Sequence, residues 1–299
     1  MAVTQVPTGH SLTRPTRPAE RRTMSGLIWQ RFRRHRLSMI AAVVVVALIA
    51  LAILAPWVAP YSYSRADFTA IYQGPTWAHW FGTDADGRDM LSRIIWSLRD
   101  ACTVGFGAEA VEVTLGLFLG AIAGYFGGVV DDVIMRLVDI MYGFPSYLFA
   151  VIITSVFGRG IGMVLLAIAL TSWVGMARVA RGQVLQTKQS AYVEAARALG
   201  ASWWQVLTRY VIPNSLGPVI VAVTFGIPAN MMVESALSLI GLGIQPPRPS
   251  WGALITSGQE AVIGYPYLLI FPAVTFAVTL LAFTYLGDGL REAFDPRGD

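Results

Sequence analysis

Four polar side chains stand in stretches that are otherwise apolar: Glu109, Glu112, Asn230 and Glu234. A polar or ionisable group at membrane depth is costly, so each is a candidate for contact with a solute or another subunit. Glu109 and Glu112 are three residues apart, which puts them on adjoining positions of one helix face. Such a pair suits the ammonium end of a peptide or a cationic chelate. It suits equally a face turned to water or to a partner subunit near the membrane edge. Glu234, with Asn230 nearby, suits a hydrogen bond to a neighbouring subunit better than a solute contact. Arg136 and Asp139 can pair along one helix. Asp84, Asp86, Arg88 and Asp89 are spaced a little like a calcium loop but lack the twelve-residue pattern with a closing Glu. A salt-bridge network within the loop is expected instead.

Catalytic chemistry finds few candidates. The Walker A loop needs a lysine followed by Ser or Thr. Lys188 is the only lysine, and Gln189 follows it. Any ATP hydrolysis therefore falls on another chain. His10, His35 and His79 are far apart and Cys102 is the only cysteine, so no zinc-ligand spacing exists and no internal disulfide can form. No apolar stretch contains a histidine and no H-E-x-x-H occurs, which argues against an intramembrane hydrolase.

The elements that must position these residues follow from composition. The chain is 55% hydrophobic and 13% charged, against about 25% charged in a typical soluble domain. Apolar runs near the ~20 residues of a spanning helix fall at 37–59, 102–126, 133–157, 161–180, 213–240 and 267–286. The expected fold is an all-α polytopic membrane protein with six transmembrane helices. Arginines crowd the N-terminal tail, the 178–209 region and the C-terminal end, so both termini are expected in the cytoplasm. Their spread over loops argues against nucleic acid as a partner. Three regions are expected: a mobile cytoplasmic tail over 1–30, a first span and outer loop over 31–100, and a core over 101–299. No internal repeat is visible, as a stand-alone secondary transporter usually shows.

One polar insert, 190–214, interrupts the apolar pattern. Ser190 can cap a helix with Glu194 in its first turn, where negative charge suits the dipole. Gly200 can end that helix in a left-handed conformation. Ser202 and Gln205 form a capping-box pattern for a second helix, which Pro213 is expected to end. Ala191, Ala195, Ala196 and Ala198 make the first helix thin, and Arg197 and Glu194 can orient it. Two readings fit: a helix seated in a groove of a soluble partner, or one lying on lipid with Trp203 and Trp204 as anchors.

"EAARALG", nine residues and then "YVIP" resemble the EAA loop of ABC importer permeases, E-A-A-x-x-x-G, nine residues, I-x-L-P. Glu194, Ala195, Ala196, Gly200 and Pro213 match; Tyr210 and Ile212 replace the usual Ile and Leu and stay apolar. "WFGTDADGRDMLSRI", "GYFGGVVDDVIMRLVDI", "ESALSLIGLGIQPPRPSWGALI" and "LGDGLREAFDPR" are similar to blocks of the C-type permease of dipeptide/oligopeptide importers, a branch that includes nickel-chelate importers. The resemblance implies a type I importer permease fold in a bacterial or archaeal plasma membrane. It implies a coupling helix at 190–213, carried by Glu194, Ala195, Ala196, Arg197, Gly200 and Pro213, that docks into an ATP-binding subunit. It also implies a B-type permease forming a heterodimer with this chain, two ATP-binding subunits that hold ATP and Mg, and an extracytoplasmic solute-binding protein. No cofactor is expected in this chain. Cargo is expected to be di- or oligopeptides, with nickel chelates or another small solute as the alternative. The family has apolar residues near Glu109 and Glu112, so that pair is a departure.

Overall fold

The computed structural model describes residues 24–294, with side chains from residue 26. Within them the chain is helical, apart from turns, loops and a single bridge between Thr83 and Asp89. Of the tail expected over 1–30, residues 1–23 lie outside the described residues, as does Arg297. From Met24 the chain is already helical: α1 (Met24–Arg34) carries Arg31, Arg33 and Arg34 in its last turn. Phe32 of α1 is buried, beside Gly289. The expected boundary at residue 30 therefore falls inside a helix.

α2 (Arg36–Ile53) supplies the first long apolar helix and α3 (Ala55–Val58) a further turn. A polar loop follows, and then α4 (Met90–Phe126). This helix starts well before the expected residue 102, because Asp89 caps it: its Oδ2 accepts from the Ser92 backbone N–H at 2.8 Å. The expected boundary at residue 100 falls inside it. Its 37 residues span roughly 55 Å at 1.5 Å per residue, well beyond a hydrocarbon core of about 30 Å.

The continuous helix expected over 133–157 is not formed. α5 (Gly128–Tyr142) and α6 (Ser146–Phe157) meet at a bend of 77°. Pro145 has no N–H and pushes Phe144 out of the helical region, so α5 stops before it. Hydropathy is blind to that break. α7 (Ile161–Thr187) is followed by the insert helices α8 (Ala191–Ala198) and α9 (Trp203–Gln205), then by α10 (Ile212–Leu239). α11 (Trp251–Glu260) lies after a further loop, and α12 (Tyr267–Phe294) completes the described chain. Among the described residues, five helices are long and apolar enough to cross a membrane, and the bent α5–α6 pair makes a sixth if it counts as one span.

α4 and α7 share the closest seam. A side-chain carbon added at Gly116, Gly120 or Gly124 would collide with Met176, with Ala177 and Ala180, or with Arg181 and Val184. Glycines at four-residue spacing thus bring two backbones together where bilayer offers little hydrophobic drive for helices to associate. α5 is tied to α7 by Arg181, bidentate to Asp131 at 2.5 and 2.6 Å, and by Arg178 to Asp139 at 2.8 Å. The expected Arg136–Asp139 pair gives way to this interhelical one, in which Arg178 also stacks on Tyr142. α2, α4, α10, α11 and α12 close a second core around Met231, Trp251 and Phe283.

Candidate functional site

Two places collect the sequence candidates: the insert and a polar cluster between α4 and α10.

In the insert, Gly200 adopts φ +85°, a conformation that favours glycine, and turns the chain after α8. Ser202 and Gln205 make the expected capping box: Gln205 N donates to Ser202 Oγ at 3.3 Å, and Ser202 N to Gln205 Oε1 at 2.9 Å. Ser190 takes the N-cap backbone position, but its hydroxyl donates back to Thr187 O at 2.6 Å instead of capping α8. The helix from Ser202 does not end at Pro213. It passes through a π-helical segment, Val206–Val211, straight into α10. A proline ring normally clashes with the carbonyl four residues back; a π-turn widens the helix at that place. Asn214 Nδ2 and Ser215 Oγ donate to the Tyr210 and Val211 carbonyls at 2.6 and 2.8 Å.

The two faces of α8 differ. Val193 is buried in a cluster with Ala121 of α4, Val184 of α7, and Val206, Leu207 and Val211, and Ala196, three residues on, is buried too. Ala196 is thus an internal contact and not part of the outer face. Ala191, Glu194, Ala195 and Ala198 are exposed, and Leu199 is 88% exposed. Pro213 is exposed at the start of α10. Arg197 lies 5.2 Å from the Tyr125 ring at the end of α4. Lys188 donates to the Gly124 and Tyr125 carbonyls at 2.7 and 3.2 Å. A cation is well placed there, at the negative end of the helix dipole.

In the polar cluster, Glu109 is 3% exposed and lies beside half-buried Glu112. Asn230 of α10, 4% exposed, donates from Nδ2 to Glu109 Oε2 at 3.2 Å. Ser172 of α7 reaches Asn230 Oδ1 at 3.5 Å. Gly226 makes the room, because a side-chain carbon there would overlap the Glu109 carboxylate. The structure so brings together three of the four path candidates. Glu234 stands apart. It is fully buried, with Ser238 and Ser235 donating to Oε1 and Oε2 at 2.8 and 3.2 Å. Within this chain both carboxylate oxygens of Glu234 are bonded inside α10. Ser238 Oγ also accepts from Ile244 N at 3.1 Å, so Glu234 steadies the loop after α10.

The loop before α4 carries the expected network. Asp84 pairs with Arg88 at 2.8 Å and with Arg93, and Arg88 reaches Asp86 at 2.5 Å. His79 contacts Asp89 at 2.9 Å. Thr69 donates twice to Asp67, which holds that carboxyl below its usual range. Arg248 pairs with buried Asp100 at 2.9 Å and fastens the later loop to α4. Sequence reasoning missed Gly226, Lys188 and the Arg248–Asp100 pair. Each depends on a distant segment, and only the lone lysine had a signal of its own.

The profile of a family described as binding-protein-dependent transport system inner membrane component matches residues 116–298. A second, the N-terminal TM domain of oligopeptide transport permease C, matches residues 23–75. The chain is 37% identical over 270 residues to the dipeptide transport system permease protein DppC of Bacillus subtilis, covering 90% of this chain and 84% of that one. It is 37% identical over 267 residues to the oligopeptide transport system permease protein OppC of the same organism, covering 89% and 88%. It is 38% identical over 282 residues to the glutathione transport system permease protein GsiD of Escherichia coli, covering 94% and 93%. Among solved structures, a chain of the MetNI methionine ABC transporter in inward-facing conformations aligns with a TM-score of 0.55 at 17% identity, over 69% of this chain and 98% of that one. A chain of an amino acid ABC transporter with histidines gives 0.53 at 19%, over 67% and 94%. These two share its fold.

Proposed function

Because this chain belongs to the binding-protein-dependent transport system inner membrane components, as a C-type permease of the dipeptide/oligopeptide ABC importer group, we propose how its parts divide the work of import. α2, α4, the α5–α6 pair, α7, α10 and α12 form six spans of a bacterial plasma-membrane protein. Both ends lie in the cytoplasm, as the arginines around α8 and in α1 favour. The chain is half of the translocation path, beside a B-type permease. Two ATP-binding subunits carry ATP and Mg, and a solute-binding protein delivers cargo from outside. The cargo is a di- or oligopeptide, the chemistry named for the dipeptide and oligopeptide relatives.

The observation that carries this reading is the two-sided α8. Its inner face is fixed to α4, α7 and the π-segment, and its outer face is thin and unoccupied in this chain. An ATP-binding subunit seated on Glu194, Ala195 and Leu199 moves a unit that cannot slip against the bundle. Gly200 and Pro213 set the angle at which that unit enters α10, and Arg197 orients it on Tyr125. Closure of the ATPase pair then tilts the spans toward the outward-open arrangement, and hydrolysis releases them. Coupling of this kind rests on two alternative packings.

An Ala195→Cys variant in a Cys102→Ala background tests it. In the assembled importer the cysteine crosslinks to an ATP-binding subunit and reacts only with reagents that reach the cytoplasm. Absence of any crosslink to that subunit, or labelling from outside alone, refutes the arrangement.

A further inference from the structure

Glu109 holds an acceptor that no N–H or hydroxyl of the described chain satisfies, and that only another carboxyl, Glu112, approaches. Its Oε1 is buried and has no hydrogen-bond donor, although the residue is 3% exposed and its Oε2 is held by Asn230. A buried polar atom left without a partner is strongly unfavourable. The neighbouring carboxyl, Glu112, lies within hydrogen-bond reach of Glu109; protonated it donates, and ionised it brings only a second set of acceptors. With both carboxyls ionised, a donor that carries positive charge completes the place.

The surroundings narrow it further. Among the described residues there is no group of three or more His, Cys, Asp or Glu that could hold a metal ion. The donors here are two carboxylates and one amide, and the amide turns its N–H, not its oxygen, toward Glu109. That is a poor set for a soft or borderline cation. A primary ammonium presents three N–H donors, enough for Glu109 Oε1 and the Glu112 carboxylate together. Half-buried Glu112 gives it an approach, and the notch at Gly226 keeps Glu109 in reach between α4 and α10.

We propose that Glu109, Glu112 and Asn230 form a binding place for a primary ammonium group, the amino terminus of cargo in transit. The site rests on the peptide-import reading for the identity of its natural occupant, but its chemistry can be tested without it. Asn230 is a positioning residue on the far helix: it fixes which oxygen of Glu109 stays free. The two carboxylates give a passing zwitterion a second, weaker stop after it leaves the delivery protein.

The test uses the complete importer in lipid nanodiscs, with methylammonium as the probe and tetramethylammonium, which has no N–H, as the comparator. Methylammonium binds saturably to the parent and about tenfold or more weakly to Glu109→Gln and Glu112→Gln, the loss expected for a charge-assisted hydrogen bond. Tetramethylammonium does not saturate. Co-purification of every subunit shows that the variants fold, and Gly226→Ala, which displaces the carboxylate without removing charge, weakens binding too. Saturation by both cations alike, equal affinity in parent and Gln variants, or no saturable methylammonium binding overturns the proposal. Uptake of alanyl-alanine into proteoliposomes separates the two readings. Wild-type uptake rates in both Gln variants remove the site from the path and leave peptide import standing. Methylammonium binding lost in the variants, with no peptide uptake by the parent, keeps the site and removes the peptide cargo.

Discussion

The two polar regions at opposite ends of α4 are built in contrasting ways. The loop before Met90 turns its charges on itself: Asp84 pairs with Arg88 and Arg93, and His79 meets Asp89. The insert after α7 does the reverse. Apolar contacts through Val193, Val206 and Leu207 anchor it, while Glu194, Ala195 and Ala198 stay exposed. A region whose charges are paired with one another is scaffold. A region that is fastened by its apolar side and leaves its polar side open is prepared for something else to bind.

That contrast can be broken at several points. The largest effect is expected from Gly200→Pro and from Glu194→Lys. The first forbids the φ of +85° that the turn needs, since proline is held near −65°. The second reverses the charge on the outer face. Both abolish ATP-driven uptake in proteoliposomes, while membrane insertion, followed by protease protection, stays intact. Full transport by both would mean that the insert is not the coupling element.

Next is Arg93→Ala, which leaves Asp84 buried without its inner partner. Asp84 keeps Arg88, so the loss is that of a hydrogen bond to a charged group, about 1.5–3 kcal/mol, seen as a lower unfolding midpoint in detergent. A midpoint unchanged from the parent would place the loop outside the stable unit. Ser202→Ala removes half of the capping box and costs about 1 kcal/mol, with uptake reduced but not lost. The smallest effect belongs to Asp139→Asn. Its pair with Arg178 is exposed on both sides, 43% and 59%, and such pairs contribute about 0–1 kcal/mol. A large loss there would mean that α5 does more than brace α7.

What could be read in advance follows the range of the interactions. The capping box and the glycine bend are set by residues within a few positions of each other, and the structure forms both as the sequence indicates. The bend at Pro145 was also written locally, but the surrounding hydropathy of 133–157 outweighed it. Pro213 misled in the other direction: a proline usually closes a helix, and a π-segment carried this one onward. The path candidates were visible as polar groups in apolar stretches. Their sorting was not, because Gly226 reaches Glu109 from more than a hundred residues away and Glu234 spends its acceptors on serines of its own helix.

The uninterrupted rod from Trp203 to Leu239 has a mechanical corollary. Trp203 lies beside the docking face and Asn230 beside the free oxygen of Glu109, roughly 40 Å away along the axis at 1.5 Å per residue. Because the helix is continuous between them, a tilt at one end is felt at the other. On the proposed docking face and amine site, engagement of the motor and release of an amine by the carboxylates would be timed by the same piece of backbone.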